Sequence, residues 1–576
     1  MLTRIRLRNF KKFEDADVVL ERPVVLIGPN NSGKTSVLQA LALWEVGLRL
    51  WLEKRGDEEV PKKRPGVTIN RRDLISIPVP SANLLWRDLH VRNVEHLEGK
   101  DGKPTQRTQN IRMELTVEGV TDGKEWRCGL EFDYANPESF YCRPLLQKGG
   151  DRMAIPPEAG RVRVAYLPPM SGLADREFIK QPGEIGFLIG QGQTAQILRN
   201  LCFQVYQKED KAQWRDIAEQ IRLLFGAELR PPQYVKERSE ITMEYRENGT
   251  QLDLSCAGRG LQQTLLLLAH LHANPGTILL LDEPDAHLEI LRQRQIYHLL
   301  TDLADKQKSQ LIAASHSEVV LTEAAGRGTV IAFVGKPHRL NDRGTQTLKA
   351  LTDIGWDSYY QAEAKGWVLY LEDASDLAIL RTFAETLGHD KACAALERPF
   401  VHYVGTNLPQ RAREHFYGLR EAKQDLAGVA LFDRLDKELQ KESPLVEMMW
   451  SLREIENYFC TEHVLLAYAR HEIPDDLFGS GEKAEREAAM RECIREVAGA
   501  LQTLGKPDPW SPDIKASDEF LDPVLRKYFA RLKLPLLLRK ADYCRLAALL
   551  PRDSISGEVS EKLDAIARVA AQAKPA

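Results

Sequence analysis

Residues 28–35, Gly28-Pro29-Asn30-Asn31-Ser32-Gly33-Lys34-Thr35, constrain this chain more than any other stretch. They fit G-x-x-x-x-G-K-[ST], a loop that functions only between a strand and a helix. Both flanks are in place: an apolar run at 24–27 ends at Gly28, and from Ser36 onward Val37, Leu38, Ala40, Leu41 and Leu43 recur at helical spacing on one broad face. In such a loop the glycines let successive backbone N–H groups turn toward phosphates. The lysine reaches the outer phosphates, and the threonine hydroxyl ligates Mg2+. Gly28, Asn30, Asn31, Ser32, Gly33, Lys34, Thr35 and Ser36 are therefore candidate nucleotide contacts.

Three later stretches supply the remaining parts of such a site. The apolar run 277–281 delivers Asp282 and Glu283 to a strand end, where ligands bind in open α/β sheets. Asp282 is placed to hold Mg2+, directly or through water, and Glu283 to orient or deprotonate the water that attacks ATP. Upstream, Ser255, Gly258 and Gly260 open a leucine-rich helix, whose exposed amides and positive end form an anion site. After the next apolar run, His316 can contact a γ-phosphate. Alternating strands and helices imply an α/β fold with a parallel sheet.

At roughly 150 residues per domain, 576 residues exceed one domain. With 43% hydrophobic and 28% charged residues there is material for cores and no sign of general disorder. No stretch approaches the ~18 apolar residues of a membrane span. Residues 1–12 carry Arg and Lys in place of a signal peptide's apolar run, so a cytoplasmic protein with no membrane role is expected. Eight scattered cysteines with no C-x-x-C pair read as reduced thiols. The boundaries that follow are a nucleotide-binding domain at 1–345 with a helical insert at about 179–225, a linker at 346–360, a second α/β core at 361–460 and a helical region at 461–576.

The second core has chemistry of its own. The run 367–371 delivers Glu372, with Asp376 four residues on, and the run 428–432 delivers Asp433, with Asp436 three residues on. If those strands are neighbours, the acids converge at one sheet edge. Clustered carboxylates repel, and a pair of divalent cations resolves that cost while clamping both oxygens of a phosphodiester displacement. Net charge is −4, from 79 basic and 83 acidic residues, so nucleic acid would have to be held by local basic patches such as 54–72 and 526–545.

The order of these motifs resembles ABC-type ATPases of the SMC/RecF kind, as does the opening Leu7-Arg8-Asn9-Phe10-Lys11-Lys12-Phe13. That resemblance implies heads that dimerise so that the Ser255 signature of one copy caps ATP held by the other. The roughly 220 residues between Thr35 and Ser255 show no sustained heptads, which argues against a long coiled-coil arm. Glutamate first and aspartate later at strand ends resembles a Toprim domain, and Arg453-Glu454-Ile455-Glu456-Asn457-Tyr458 resembles the acidic segment of OLD-family nucleases, which join an ABC ATPase to a C-terminal Toprim domain. By that resemblance the metal ligands are Thr35 and Asp282 at the first site, and Glu372, Asp376, Asp433, Asp436 and Glu456 at the second, with Glu454 the alternative to Glu456. The family's D-x-D spacing here reads Asp433-Arg434-Leu435-Asp436. Glu283, Glu372 and Lys540 are the implied catalytic residues.

The resemblance thus implies an ATP-dependent, Mg2+- or Mn2+-dependent DNA endonuclease. It would act as a homodimer or higher homo-oligomer in antiphage defence, as in Gabija-like or retron-linked systems, with or without a partner protein. One alternative is an ATPase sensor with an RNA nuclease acting on tRNA, as in PARIS-like systems. The other is a RecF-like, non-cleaving DNA-binding repair ATPase.

Overall fold

The computed structural model describes residues 1–576 except 21–22, 57–65, 75–76, 78, 99–103, 148, 341–353, 406, 437, 441–442, 472 and 474–476. The chain divides into two compact units, Met1–Leu348 and Lys349–Ala576.

Two six-stranded sheets, beside three smaller ones, frame the described residues of the first unit. One is antiparallel, in the order Phe13–Val19, Leu2–Phe10, Met113–Thr121, Lys124–Asn136, Ser139–Pro144 and Val67–Asn70. The other runs Val164–Leu167, Ile278–Asp282, Gln310–Ser315, Val24–Ile27 and Thr329–Ala332 in parallel, with a short antiparallel edge at His338–Arg339. Helix Lys34–Arg55 lies between the two sheets and touches strands of both. Its burial therefore extends beyond the one face that periodicity predicts: Ala42, Trp44, Gly47, Leu48 and Trp51 are buried as well. Trp44 stacks on Trp126 with ring centroids 5.9 Å apart and donates its indole N–H to Cys128 O at 3.1 Å. That pairing is worth about 0.5–1.5 kcal/mol beyond the area it buries.

The strand Ile278–Asp282 is buried along its whole length and serves two cores. Ile278 and Leu280 face the antiparallel sheet and the Lys34–Arg55 helix. Leu279 and Leu281 face the leucine-rich helix Arg259–Ala273 and the helices of residues 182–225. The period-2 alternation of side chains puts each parity on one face. Those insert helices are Pro182–Gly190, Leu198–Tyr206 and Ala212–Phe225.

In the second unit four parallel strands lie in the order Val401–Tyr403, Trp367–Leu371, Ala427–Phe432 and Leu445–Met449. Leu369, Leu371, Val429 and Leu431 share one core with helices as distant in sequence as Gly557–Ala571. The second α/β core and the helical region after it are thus one packing unit. The linker expected at 346–360 lies partly outside the described residues. From Trp356 it is instead helix Trp356–Lys365, with Trp356 and Tyr359 fully buried in the second unit. Its Gly- and polar-rich lead-in hides two aromatic residues that need a core. All eight cysteines are free thiols, and among the described residues no helix is long and apolar enough to cross a membrane.

Candidate nucleotide and metal sites

The ends of three adjacent parallel strands lie level, with Asp282 beside Ala314 and Ser315 beside Ile27. Residues 28–35 leave that edge and lead into the Lys34–Arg55 helix. Gly28 has φ 148° and Gly33 φ 109°. A Cβ on Gly28 would sit 2.9 Å from Phe333 O, and one on Gly33 would sit 2.5 Å from Phe13 Cζ. Only glycine fits either place. Asn31 also has positive φ, at 62°, and its carbonyl accepts from Lys12 Nζ at 2.9 Å. Asn30 is exposed, Ser36 is half-buried, and the buried Ser32 Oγ has no protein partner.

Lys34 Nζ donates to Gly28 O at 2.7 Å and Pro29 O at 3.0 Å, which folds the ammonium back over the loop. Burial lowers its pKa, and Glu283, Asp282 and Asp285 oppose that. Thr35 Oγ1 donates to Asp282 Oδ1 at 3.1 Å, and Tyr166 OH to Asp282 Oδ2 at 3.4 Å. Burial pushes Asp282 up to about 6, a carboxyl waiting for positive charge. Glu283 has φ 49° and is held by its N–H on Ala314 O at 2.8 Å. Its Oε1 lies 3.6 Å from Nδ1 of the exposed His316. A non-glycine residue fixed in this region stores strain of order 1–3 kcal/mol, a common device for aiming a reacting side chain. The structure thus gathers Lys34, Thr35, Asp282, Glu283 and His316.

Ser255, Gly258 and Gly260 form a separate group at the start of helix Arg259–Ala273. Ser255 turns to Asp253, while a Cβ on Gly260 would sit 3.3 Å from His287 O, so this helix end packs on the loop following Glu283. Sequence reasoning missed Tyr166, which reaches Asp282 from a neighbouring strand 116 residues upstream. No local pattern marks it.

The second unit repeats the arrangement. Trp367–Leu371 and Ala427–Phe432 are paired neighbours, so Glu372 and Asp433 leave one sheet edge side by side. Asp376 Oδ2 accepts the backbone N–H of Glu372 at 3.1 Å and of Asp373 at 3.2 Å, closing the first turn of helix Ala374–Leu387. Burial, then Asp373 and Glu372, raise Asp376 to about 6. Asp433 is pushed up to about 8 by burial and by Glu372, Asp376 and Glu454, with Lys540 opposing.

The turn Ile455–Tyr458 brings up the remaining acids. Both Glu454 oxygens accept from Ser517, one from its N–H and one from its hydroxyl. Glu456 is 2% exposed, and its Oε1 has no partner. Burial and Glu454 drive its carboxyl far above the usual range, against Lys540. Lys540 is exposed. Burial lowers its pKa, but Glu456, Glu454, Asp518 and Asp373 outweigh that and raise it. Of the two downstream acids, Glu456 is the one with an oxygen to spare. Asp436 is exposed, four residues past the end of strand Ala427–Phe432.

All donors here are carboxylate oxygens, the hard ligands that Mg2+ and Mn2+ prefer, and an orphaned buried Glu456 oxygen fits a cation better than bulk protein. Among the described residues, no three His, Cys, Asp or Glu side chains lie close enough together to hold a metal ion in this conformation. Strand pairing brings Glu372 and Asp433 to one edge against their mutual repulsion, without closing the acids into a coordination sphere.

The basic patches fare differently. Arg526 pairs with Asp522, Lys527 with Glu496, and Arg531 with Glu492 and Glu496. Those three cations of the 526–545 cluster are neutralised by acids on its own and a neighbouring helix. In 54–72, Arg71 pairs with Glu138 at 3.1 Å, and residues 57–65 lie outside the described residues.

The sequence has relatives, and both family-model matches lie in the first unit. Residues 193–322 match a family model described as "AAA domain, putative AbiEii toxin, Type IV TA system", and residues 1–45 match one described as "AAA ATPase domain". An OLD nuclease from Thermus scotoductus (strain ATCC 700910 / SA-01) is 24% identical over 346 residues. The chain is thus similar to an OLD nuclease. The match takes in 55% of the chain and 59% of the OLD nuclease, so the chain spans about three-fifths of the length of that relative. Similar solved structures include the SMC head domain from Thermotoga maritima, with a TM-score of 0.32 and 16% identity over 59% of this chain and 98% of that one. Another is RecF of the RecFOR pathway, with a TM-score of 0.31 and 12% identity, again over 59% and 98%.

Proposed function

We propose that this chain binds and hydrolyses ATP at the sheet edge of its first unit and cleaves DNA phosphodiesters, with Mg2+ or Mn2+, at a Toprim-type sheet edge in its second. The observation that carries the reading is the set of acids leaving neighbouring strand ends, Glu372 and Asp433, together with a buried Glu456 that has an unpartnered oxygen and feels the charge of Asp376. A nuclease so built has ATP to gate it. The relationship to an OLD nuclease supports the pairing of activities, and the family description naming a Type IV TA system supports a role in defence.

At the first site Lys34 leaves the Gly28 and Pro29 carbonyls to meet the β- and γ-phosphates. Thr35 and Asp282 are the residues that would hold Mg2+, Glu283 takes a proton from the attacking water, and His316 meets the γ-phosphate. Ser255, with Gly258 and Gly260, closes on ATP held by a second copy of the chain. At the second site Glu372, Asp376, Asp433 and Glu456 are the residues that would hold metal. When bound, the cations neutralise the phosphodiester oxygens and sharpen the attacking water. Asp376 offers only the oxygen not engaged by backbone N–H groups. Lys540, outside the acids, steadies the scissile phosphate.

The test is nicking of supercoiled plasmid by wild type and Glu372→Ala, with Mg2+ or Mn2+, with and without ATP. Cleavage that disappears in the variant while ATPase activity persists supports the reading. Cleavage of tRNA but not plasmid replaces DNA with RNA as substrate. ATP-dependent DNA binding without cleavage, unchanged by Glu372→Ala, overturns the nuclease in favour of a RecF-like binder.

A further inference from the structure

A chain of contacts joins the helical insert to the Ser255 loop through a fully buried arginine. Arg199, at the start of helix Leu198–Tyr206, is 1% exposed. Its guanidinium donates to Ala174 O at 2.9 Å and to Asp253 Oδ1 at 3.1 Å, and lies 3.9 Å from Glu177 Oε2. The arginine is itself clamped. Buried Glu177 accepts the backbone N–H of Arg199 at 2.9 Å and of Asn200 at 2.6 Å, and the Asn200 side-chain amide at 2.9 Å. One carboxylate thereby caps the helix and holds its first turn in place.

Asp253 passes the constraint on. The same Oδ1 that receives Arg199 also accepts the backbone N–H of Ser255 at 2.8 Å and its hydroxyl at 2.6 Å. Ser255 is exposed, between the buried Leu254 and Ala257. Its orientation depends on this one oxygen, and the oxygen's position depends on the guanidinium fork. Arg199 has a planar, multi-donor geometry that can serve Ala174, Glu177 and Asp253 together, which a point-charge ammonium cannot. Burial pushes against the Asp253 charge, but the Ser255 bonds and Arg199 hold its carboxyl below the usual range, so it stays an anion at neutral pH.

We infer that Arg199 and Asp253 are positioning residues for ATP hydrolysis: Arg199 fixes Asp253, and Asp253, by holding the Ser255 N–H, sets where the Ser255 hydroxyl stands when it turns from Oδ1 to a nucleotide phosphate. The inference rests on the proposed ATPase reading of the first site. It makes the insert more than a spacer, because a movement of helix Leu198–Tyr206 is carried to Ser255 through two side chains. Neither residue belongs to the Lys34–Asp282 group, so loading of the nucleotide and its turnover respond differently.

The experiment compares full-length wild type, Asp253→Asn, Arg199→Met, Arg199→Lys and the Asp253→Asn/Arg199→Met double variant. Steady-state ATPase kinetics are read beside binding of a fluorescent ADP analogue. Asp253 is partly exposed, so Asp253→Asn serves even where Arg199→Met, which strands buried Glu177, fails to fold. Expected are a fall in kcat of about tenfold or more in each single variant, ADP affinity within about twofold of wild type, and a double variant no worse than the worse single. Arg199→Lys should recover part of the loss. Wild-type kcat in Asp253→Asn overturns the inference, as does a loss of ADP affinity in step with kcat, or losses that multiply in the double variant. A wild type that binds ADP but never hydrolyses ATP overturns the ATPase reading itself and the inference with it, a result distinct from the other three.

Discussion

Replacing Asp433 by Asn should stabilise the second unit at alkaline pH and remove most of its dependence on pH. A carboxyl whose pKa rises from 3.8 to about 8 on folding opposes folding by about 5–6 kcal/mol once fully ionised, at about 1.4 kcal/mol per pH unit. The sign follows from proton counts. Between about pH 4 and 8 the unfolded chain has released this proton and the folded chain retains it, so stability falls as pH rises through that window and is unaffected below it. Asn removes the charge but still buries a polar amide beside Glu372, Asp376 and Glu454, so about half of the penalty, roughly 3 kcal/mol, should be recovered. For a unit of this size that is about 6–12 °C in Tm. Scanning calorimetry of the full chain in EDTA at pH 5 and pH 8.5 reads the effect. Wild type should lose stability between the two, and Asp433→Asn should lose much less. Mg2+ or Mn2+ at pH 8.5 should raise the wild-type transition and leave the variant nearly unmoved, since the cation acts on the same repulsion. Parallel pH profiles in EDTA for the two proteins would show that Asp433 does not carry the burden its surroundings imply.

Other tests address the remaining roles. Lys34→Ala should weaken binding of a fluorescent ADP analogue by at least about tenfold, since the Gly28 and Pro29 carbonyls would lose their ammonium and the remaining cation, Lys12, is engaged by the Asn31 carbonyl. Glu283→Gln should bind ATP with near wild-type affinity and hydrolyse it roughly a hundredfold more slowly; an unchanged rate in a phosphate-release assay removes Glu283 from the chemistry. Lys527→Ala and Arg531→Ala should leave the salt dependence of DNA binding unchanged, because the two cations are already paired with Glu496 and Glu492. Lys540→Ala should depress cleavage of a labelled duplex in a nuclease assay.

The first site was readable where its chemistry is contiguous. Gly28 to Thr35 is one octapeptide, and Asp282 and Glu283 end a strand whose unbroken leucines mark it as buried on both faces. The α/β architecture followed from the same runs. Tyr166 and Ser517 were invisible because each meets its acid only through the fold, across 116 and 63 residues. The fourth strand of the second sheet, Leu445–Met449, carries Glu447 in its middle and lacks a hydrophobic run. The bidentate Arg413 partner, at 2.6 and 2.7 Å, and the Gln440 N–H, at 3.0 Å, let that carboxylate sit inside. The basic stretch 526–545 read as a surface for nucleic acid because the acids that cancel Lys527 and Arg531 lie some thirty residues away on another helix. Charge runs report composition, whereas a field depends on who stands opposite.

The strand Ile278–Asp282, whose alternate leucines belong to different cores, has a consequence for how such a sequence can diverge. A volume change at Leu280 must be answered by the Lys34–Arg55 helix or the antiparallel sheet, and one at Leu279 or Leu281 by the leucine-rich helix and the insert. Homologues should therefore show two sets of compensating substitutions that interleave along five residues yet vary independently. Asp282, at the end of the strand, would keep its place while the packing on either side is rewritten.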